Sequence, residues 1–331
     1  MQATSFMPAM PRTLTTAFKL LSWLVLALAA SLGLWVYHTQ PLYDGQLATP
    51  GLQEPVAIQR DAAGVVHIQA RNDIDAAFAL GFSHAQDRSW QLEFNRRLMR
   101  GELSEILGEV TLPTDKLMRT LGLMPAAQAQ LSRLPAEVVA QLQAYAKGVN
   151  AFHAHRPQGL PPEFALLRTQ PGGRSGVAWQ PVDSVAWSLL MALDLGGNWG
   201  NEFARLTAAR TLSTEQLWDL YPPYPGEKRA TQVDLAKMYR ELGVYKPQGG
   251  LKSDLSLPVI GEPGFNEGRG SNNWVLAGSH TQTGQPLLAN DPHLALSAPA
   301  IWYVSHIQTP HTDVMGATLP GLPWVAPITS V

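Results

Sequence analysis

The chain has 331 residues, 45% of them hydrophobic, enough to bury a sizeable core and long enough for two domains. Its 24 basic and 26 acidic residues give a formal charge of −2, without the basic excess that nucleic acid demands, so no nucleic-acid partner is expected. There are no cysteines, which rules out a disulfide framework, thiolate catalysis and a cysteine zinc site, and is compatible with any redox compartment.

Arg12 and Lys19 precede an uncharged apolar run over residues 20–37. Within it, Ala27-Leu28-Ala29 offers the small-x-small pattern at which a signal peptidase cuts, yet the run is also just long enough to span a bilayer. Residues 1–40 therefore read as a signal peptide or an N-terminal membrane anchor. Either places the remainder in the periplasm or otherwise outside the cytoplasm, free or tethered to the inner membrane. A buried core helix is the weaker reading, given the basic flank and the terminal position. No later segment is apolar enough to span again.

Pro41, Pro50, Gly51 and Pro55 mark a linker. The alternation Val56-Ala57-Ile58-Gln59, the turn Asp61-Ala62-Ala63-Gly64 and the β-rich Val65-Val66-His67-Ile68 predict a hairpin. Asn72 then caps a predicted helix on which Ile74, Ala77, Phe78, Gly81, Phe82 and Ala85 share one face, with Asp75 near its positive end. His84, Asp87 and Arg88 fall on the polar side or edges of that helix. A solvated or salt-bridged face explains them at least as well as catalysis, and they are assigned to structure.

A second helix is predicted from Pro135, with Val138, Leu142, Tyr145, Val149 and Phe152 on one stripe. His153 and His155 at its end lack a third ligand nearby and read as surface residues. After a Pro- and Gly-rich stretch, another helix is expected over 183–195. Gly196-Gly197-Asn198-Trp199-Gly200-Asn201 breaks it, and Glu202 opens a further one.

Residues 221–270 hold Pro222-Pro223, Pro225-Gly226, Gly249-Gly250, Pro263-Gly264 and Gly268, a density of breakers that suits an exposed segment, whether a spacer or an ordinary surface loop. It ends at Gly270-Ser271-Asn272-Asn273-Trp274-Val275-Leu276. A plain turn before a strand explains these residues. The sharper reading is a self-processing site. A serine that becomes an N-terminus gains its own α-amine as base, with an ordinary pKa of roughly 7.7 to 8.0, and Gly270 lets the hydroxyl approach the preceding carbonyl. Beyond it the pattern is strand, turn at Thr283-Gly284, strand, and a third strand over 302–307, which suits an antiparallel sheet with Ser271 at a strand's first residue.

Three blocks carry a family resemblance. The run 271–294, opening Ser271-Asn272-Asn273-Trp274 and closing Asn290-Asp291-Pro292-His293-Leu294, closely resembles the start of the β-subunit in the penicillin acylase family of N-terminal nucleophile hydrolases. Gly81-Phe82-Ser83-His84-Ala85-Gln86-Asp87-Arg88, followed by Gln91, Glu93 and Arg96-Arg97, is similar to the α-subunit signature, as is Met118-Arg119-Thr120-Leu121-Gly122-Leu123. The resemblance runs over about residues 55–323.

It implies an α+β fold, the four-layer αββα sandwich, here as the mainly helical α-subunit plus the first β-subunit strands. The implied organisation is an α-subunit region over 41–220, a spacer over 221–270 excised before Ser271, and the N-terminal part of the β-subunit over 271–331. The implied function is a precursor cut at Gly270/Ser271, whose Ser271 hydrolyses the amide of a small N-acyl substrate, a β-lactam side chain or an N-acyl homoserine lactone. Its own α and β chains would be its partners.

In cephalosporin acylases and some homoserine-lactone acylases the position of His293 also carries histidine, implying that it orients the nucleophile or supplies a backbone group near the oxyanion. A local turn after Asp291-Pro292 is the alternative. Asn272 and Trp274 would support the site. A calcium ion is implied, with Glu202 as the ligand from its region, although a helix-start glutamate favoured by the dipole is the commoner explanation for such a residue.

Residues 315–323 in the family lead into a glycine- and asparagine-bearing turn and a much longer β-subunit. The expectation for a sequence ending at Val331 is a truncated chain without the oxyanion asparagine, most calcium ligands and much of the central sheet, with exposed strand edges. A catalytically inactive envelope protein that binds a ligand or partner is therefore the alternative function.

Overall fold

The computed structural model describes residues 12–41, 43–155, 159–173, 176–196, 204–205, 208–209, 211–222, 271–292, 294 and 297–326. The N-terminal helix α1 (Arg12–Thr39) is exposed along its apolar length. The expected hairpin follows as β1 (Ala57–Arg60) and β2 (Val66–Gln69), closed by the Asp61 carboxylate, which accepts from the Ala63 and Val65 amides at 2.9 Å each. Alternation decides its faces: Val66 and Ile68 are fully buried, while His67 and Gln69 turn outward.

Helix α2 (Asp73–Arg100) begins where the sequence places it. The Asn72 side chain accepts from the Asp75 amide at 2.7 Å, and Asp73 and Asp75 occupy the positive first turn. It ends on left-handed Gly101, where the Gly101 and Glu102 amides donate to the Leu98 and Arg97 carbonyls. A kink at Arg88 (φ −134, ψ 26) divides it.

Short helices α3 (Ser104–Leu107), α4 (Leu112–Leu121) and α5 (Leu123–Leu131) lead to α6 (Ala136–His155). The stripe expected on α6 holds, with Leu142, Tyr145, Val149 and Phe152 buried and Val138 packed at the edge of the core. Helices α7 (Pro162–Leu166), α8 (Pro181–Leu195) and α9 (Thr214–Leu220) follow.

The tightest helix contact is α2 on α6, set by two glycines. A Cβ on Gly81 would stand 2.2 Å from the Tyr145 carbonyl oxygen, and one on Gly148 would stand 1.9 Å from that of Phe78. The two backbones touch, which brings the polar residues of α2 within reach of Tyr145.

After Ser271 the chain forms β3 (Ser271–Leu276), β4 (Leu287–Pro292), β5 (Tyr303–Gln308), β6 (Asp313–Thr318) and β7 (Val325–Ala326). Strands β3 and β4 pair antiparallel, with Ser271 the first described residue of its strand. The third strand departs from the sequence reading. It leaves this hairpin and pairs in parallel with β2, in a five-stranded sheet of order β1-β2-β5-β6-β7. The reason is its buried face: Tyr303, Ser305 and Ile307 extend the apolar surface of Val66 and Ile68 against the helices, whereas every residue of β3 is exposed. The class is α+β.

Replacing Gly148 with alanine forces α2 and α6 apart and should destabilise the protein by about 2–3 kcal/mol, at the upper end for overpacking. Urea unfolding of Gly148→Ala followed by circular dichroism measures it; a change below about 0.5 kcal/mol would contradict the close contact.

Candidate active site and its supporting junction

Ser271 opens β3 opposite Pro292, and Asn272 stands opposite Asp291. Its side chain is exposed and has no hydrogen-bonded base among the described residues. In the uncut chain its nitrogen is an amide, which has no basic lone pair, so a base can appear there only on cleavage. Trp274, expected to support the site, is 66% exposed, and Asn272 is exposed as well. Gly270, His293 and Glu202 lie outside the described residues. The register places Ser271 against the residue that precedes His293 in the chain. Among the described residues no three His, Asp or Glu side chains converge on one point.

What the structure does bring together is the α2 block with the strands beyond Ser271. His84, expected on a polar face or edge, is fully buried. Its Nδ1 lies 2.8 Å from the Tyr145 hydroxyl and its Nε2 2.8 Å from Thr318 Oγ1. The directions follow from the ends of the chain. Thr318 spends its one proton on the Tyr303 carbonyl at 2.6 Å, so it accepts from His84 Nε2–H. The neutral ring then accepts at Nδ1 from Tyr145 O–H, and Tyr145 in turn accepts from the Gly321 amide at 2.7 Å.

Glycine is required at 321. Its φ is +119, and a Cβ there would meet the Trp187 indole at 2.7 Å. Burial, with the Arg88 charge nearby, pulls the His84 imidazole down to about 3. Burial likewise pushes the Tyr145 phenol far above its ordinary range. The relay is proton-silent at neutral pH and acts as a polar staple.

A second junction surrounds Asp87. Its carboxylate accepts from the Tyr303 hydroxyl in a very short bond, from Tyr43 at 3.1 Å and from Arg60 at 3.0 Å. The Arg60 guanidinium also lies over the Tyr43 ring at 4.1 Å. Asp87 thus fulfils the salt-bridged reading while gathering the linker, β1 and β5.

Further along α2, buried Glu93 is satisfied by Arg96 and Arg97, each at 2.8 Å, and by the Gly172 amide at 3.0 Å. On the outer face of the sheet, His67 Nδ1 meets His306 Nδ1 at 3.0 Å, while their Nε2 atoms face Asp61 at 3.2 Å and Asp313 at 2.7 Å. Both carboxyls are held below their ordinary range, chiefly by these histidine hydrogen bonds.

Sequence reasoning missed Tyr43, Arg60, Tyr303 and Thr318. Tyr145 was placed in the core without its hydroxyl's role. No local signal marks these residues, because each acts on a group far away in the chain.

A sequence model described as penicillin amidase matches residues 55–328. Penicillin acylase 2 proenzyme of Pseudomonas sp. strain SE83 is 36% identical to this chain over 293 residues, which cover 86% of the chain and 36% of that protein. Acyl-homoserine lactone acylase QuiP of Pseudomonas aeruginosa is 32% identical over 292 residues, 86% of this chain and 33% of its own length. A solved thermostable penicillin G acylase from Alcaligenes faecalis aligns with 54% of this chain and 97% of its own, at 22% identity and a TM-score of 0.43. The chain spans about a third of the length of these curated relatives.

The depressed His84 value sets a pH dependence. As pH falls below about 6.5 the unfolded chain takes up a proton that the folded chain refuses, so this stability is full above about 6.5 and is lost towards pH 3. The expected slope is up to about 1.4 kcal/mol per pH unit in that window. Urea midpoints between pH 7 and 4 should fall more steeply for the native sequence than for His84→Gln, which starts less stable; parallel profiles would refute the buried neutral imidazole.

Proposed function

We infer the function from one premise: this chain belongs to the penicillin amidase family. On that premise it carries the α-subunit region and the opening of the β-subunit of an amidohydrolase precursor, cut between Gly270 and Ser271. The observation that carries the reading is the position of Ser271, first residue of an exposed strand that follows the candidate cut and precedes strands locked into the α2 body. A break before Ser271 would leave β5 paired with β2, and Thr318 and Tyr303 bonded to His84 and Asp87. Two chains would stay together as one protein.

Cleavage would begin with the Ser271 hydroxyl on the Gly270 carbonyl, an N-to-O acyl shift that water resolves into a Gly270 carboxylate and a free Ser271 amine. Turnover then repeats the chemistry on substrate. The amine, directly or through a water, takes the hydroxyl proton as Oγ attacks the amide carbonyl, and passes it to the departing amine; water releases the acyl group as a carboxylic acid. His293, one residue beyond the partner of Ser271, orients the nucleophile or offers its backbone to the oxyanion. The relatives' names point to the amide of an acylated amine, a penicillin or an acyl-homoserine lactone. Calcium bound through Glu202 would be structural and enters no step.

Intact mass and N-terminal sequencing of protein from its native cells should reveal a fragment beginning Ser-Asn-Asn-Trp. Ser271→Ala should yield only uncut chain and lower turnover of a chromogenic phenylacetyl or fatty-acyl amide by roughly a thousandfold or more. Cleavage at Gly270 in Ser271→Ala would overturn the assignment, and a soluble, uncut native chain without turnover would favour the inactive binding protein.

A further inference from the structure

Helix α1 ends in contact with the folded body. Residues Phe18–Thr39 have a mean hydropathy of 2.0 and are exposed to the surroundings along their length. At 1.5 Å per residue these 22 residues run for about 33 Å, against a hydrocarbon core of about 30 Å. Arg12 and Lys19 lie at one end, while Trp35 and Tyr37 lie at the other, where interfacial aromatic residues belong.

At that second end the His38 carbonyl, one of the helix's orphan acceptors, takes a hydrogen bond from the Gly159 amide at 2.9 Å. Trp35, His38 and Thr39 share an open groove of about 280 Å³ with Leu160, Phe164 and Thr169. The segment is pinned in turn to α2: the Phe164 ring meets Trp90 edge-on at 5.3 Å, and Thr169 Oγ1 accepts from Arg97 at 2.9 Å. Helix end, segment 159–170 and α2 are thus joined without a free linker. Next to the joint, Leu166 is 72% exposed and Arg168 is exposed.

We propose that segment 159–170 is a second membrane contact, with Leu166 at the acyl boundary and Arg168 among the phosphates of a phospholipid bilayer. The inference rests on α1 being retained as an anchor. If it is, the joint at His38 and Gly159 lies at the headgroup level, and a spanning helix cannot leave a segment bonded to its last turn far from lipid. An apolar side chain and a guanidinium are the pair that such a boundary accommodates, the first by burial of apolar surface and the second by phosphate contact. The far end of α2 gives the contrast. Asp73 lies about 25 Å along α2 from Trp90 and accepts there from Thr309 at 2.8 Å, and His311, two residues beyond Thr309, is exposed.

The chain has no native cysteine, so single-cysteine variants label cleanly. Full-length Leu26→Cys, Leu166→Cys and His311→Cys, each carrying an environment-sensitive fluorophore, would be reconstituted into phosphatidylcholine and phosphatidylglycerol vesicles with a nitroxide at the headgroup or along the acyl chain. The expected result is strong acyl-chain quenching at 26, headgroup quenching at 166 at least threefold above that at 311, and little at 311. Quenching at 26 with none at 166, or equal quenching at 166 and 311, overturns the proposal while leaving the anchor in place. A mature native protein that begins after Ala29 removes the anchor and the proposal together.

Discussion

The parallel pairing of β2 with β5 is the constraint on which the rest of the structure depends. It joins residues 66–69 to residues 305–308, across more than two hundred positions of chain and across the candidate cut at Gly270. Parallel strands need a long crossover, and here the crossover contains the whole helical body. Because Val66, Ile68, Tyr303 and Ile307 form one buried surface, the helices pack on a sheet that neither half of the chain could present alone. Two strands would be marginal by themselves, whereas five with a covered face can hold.

Polar contacts at the junction act on specificity more than on gross stability. A buried histidine that donated to nothing would cost about 1–3 kcal/mol per unmet group, so the His84 relay is satisfied at both nitrogens by residues from α6 and β6. A one-residue slip of β6 would turn Thr318 to the opposite face and leave His84 Nε2 without its acceptor, and a slip of β5 would take the Tyr303 hydroxyl from Asp87. The apolar surface drives association, and these bonds select one register. The α2 block, Gly81 through Arg97, therefore looks like a signature because it is crowded with such obligations: close backbone contact at 81, relay at 84, carboxylate junction at 87 and buried ion pairs at 93, 96 and 97.

Local physics made much of the fold legible in the sequence. The β1–β2 hairpin follows from alternation and an aspartate turn, the start of α2 from an asparagine cap, and the α6 face from its 3.6-residue stripe. What hydropathy could not supply was partnership. It set His84 among polar residues because a histidine's burial depends on acceptors and donors that arrive from positions 145 and 318. It grouped β5 with β3 and β4 by adjacency, although the buried alternation of Tyr303, Ser305 and Ile307 suited β2. At the candidate site, a Gly-Ser step before a strand offers a local signal for Ser271, one that an ordinary turn shares. The groups that would serve it are non-local, and a single sequence leaves their geometry open.

Ser271 and the junction differ in how they are held. The junction is buried and bonded at every turn, while β3 and β4 form a separate two-stranded sheet with Trp274, Val275, Leu276 and Leu287 exposed. A nucleophile needs its attack geometry held within a fraction of an ångström, and misplacement by about 1 Å can cost roughly a hundredfold in rate. An exposed hairpin cannot give that precision, since its apolar side chains gain nothing from water and leave its edges open to pairing. Trp274, Leu276 and Leu287 share one face of that hairpin, with Val275 on the other, and covering the first face would stabilise the hairpin and immobilise its first residue together. The role proposed for Ser271 therefore requires a partner surface that packs over Trp274 and Leu276 and holds the first residue of the strand.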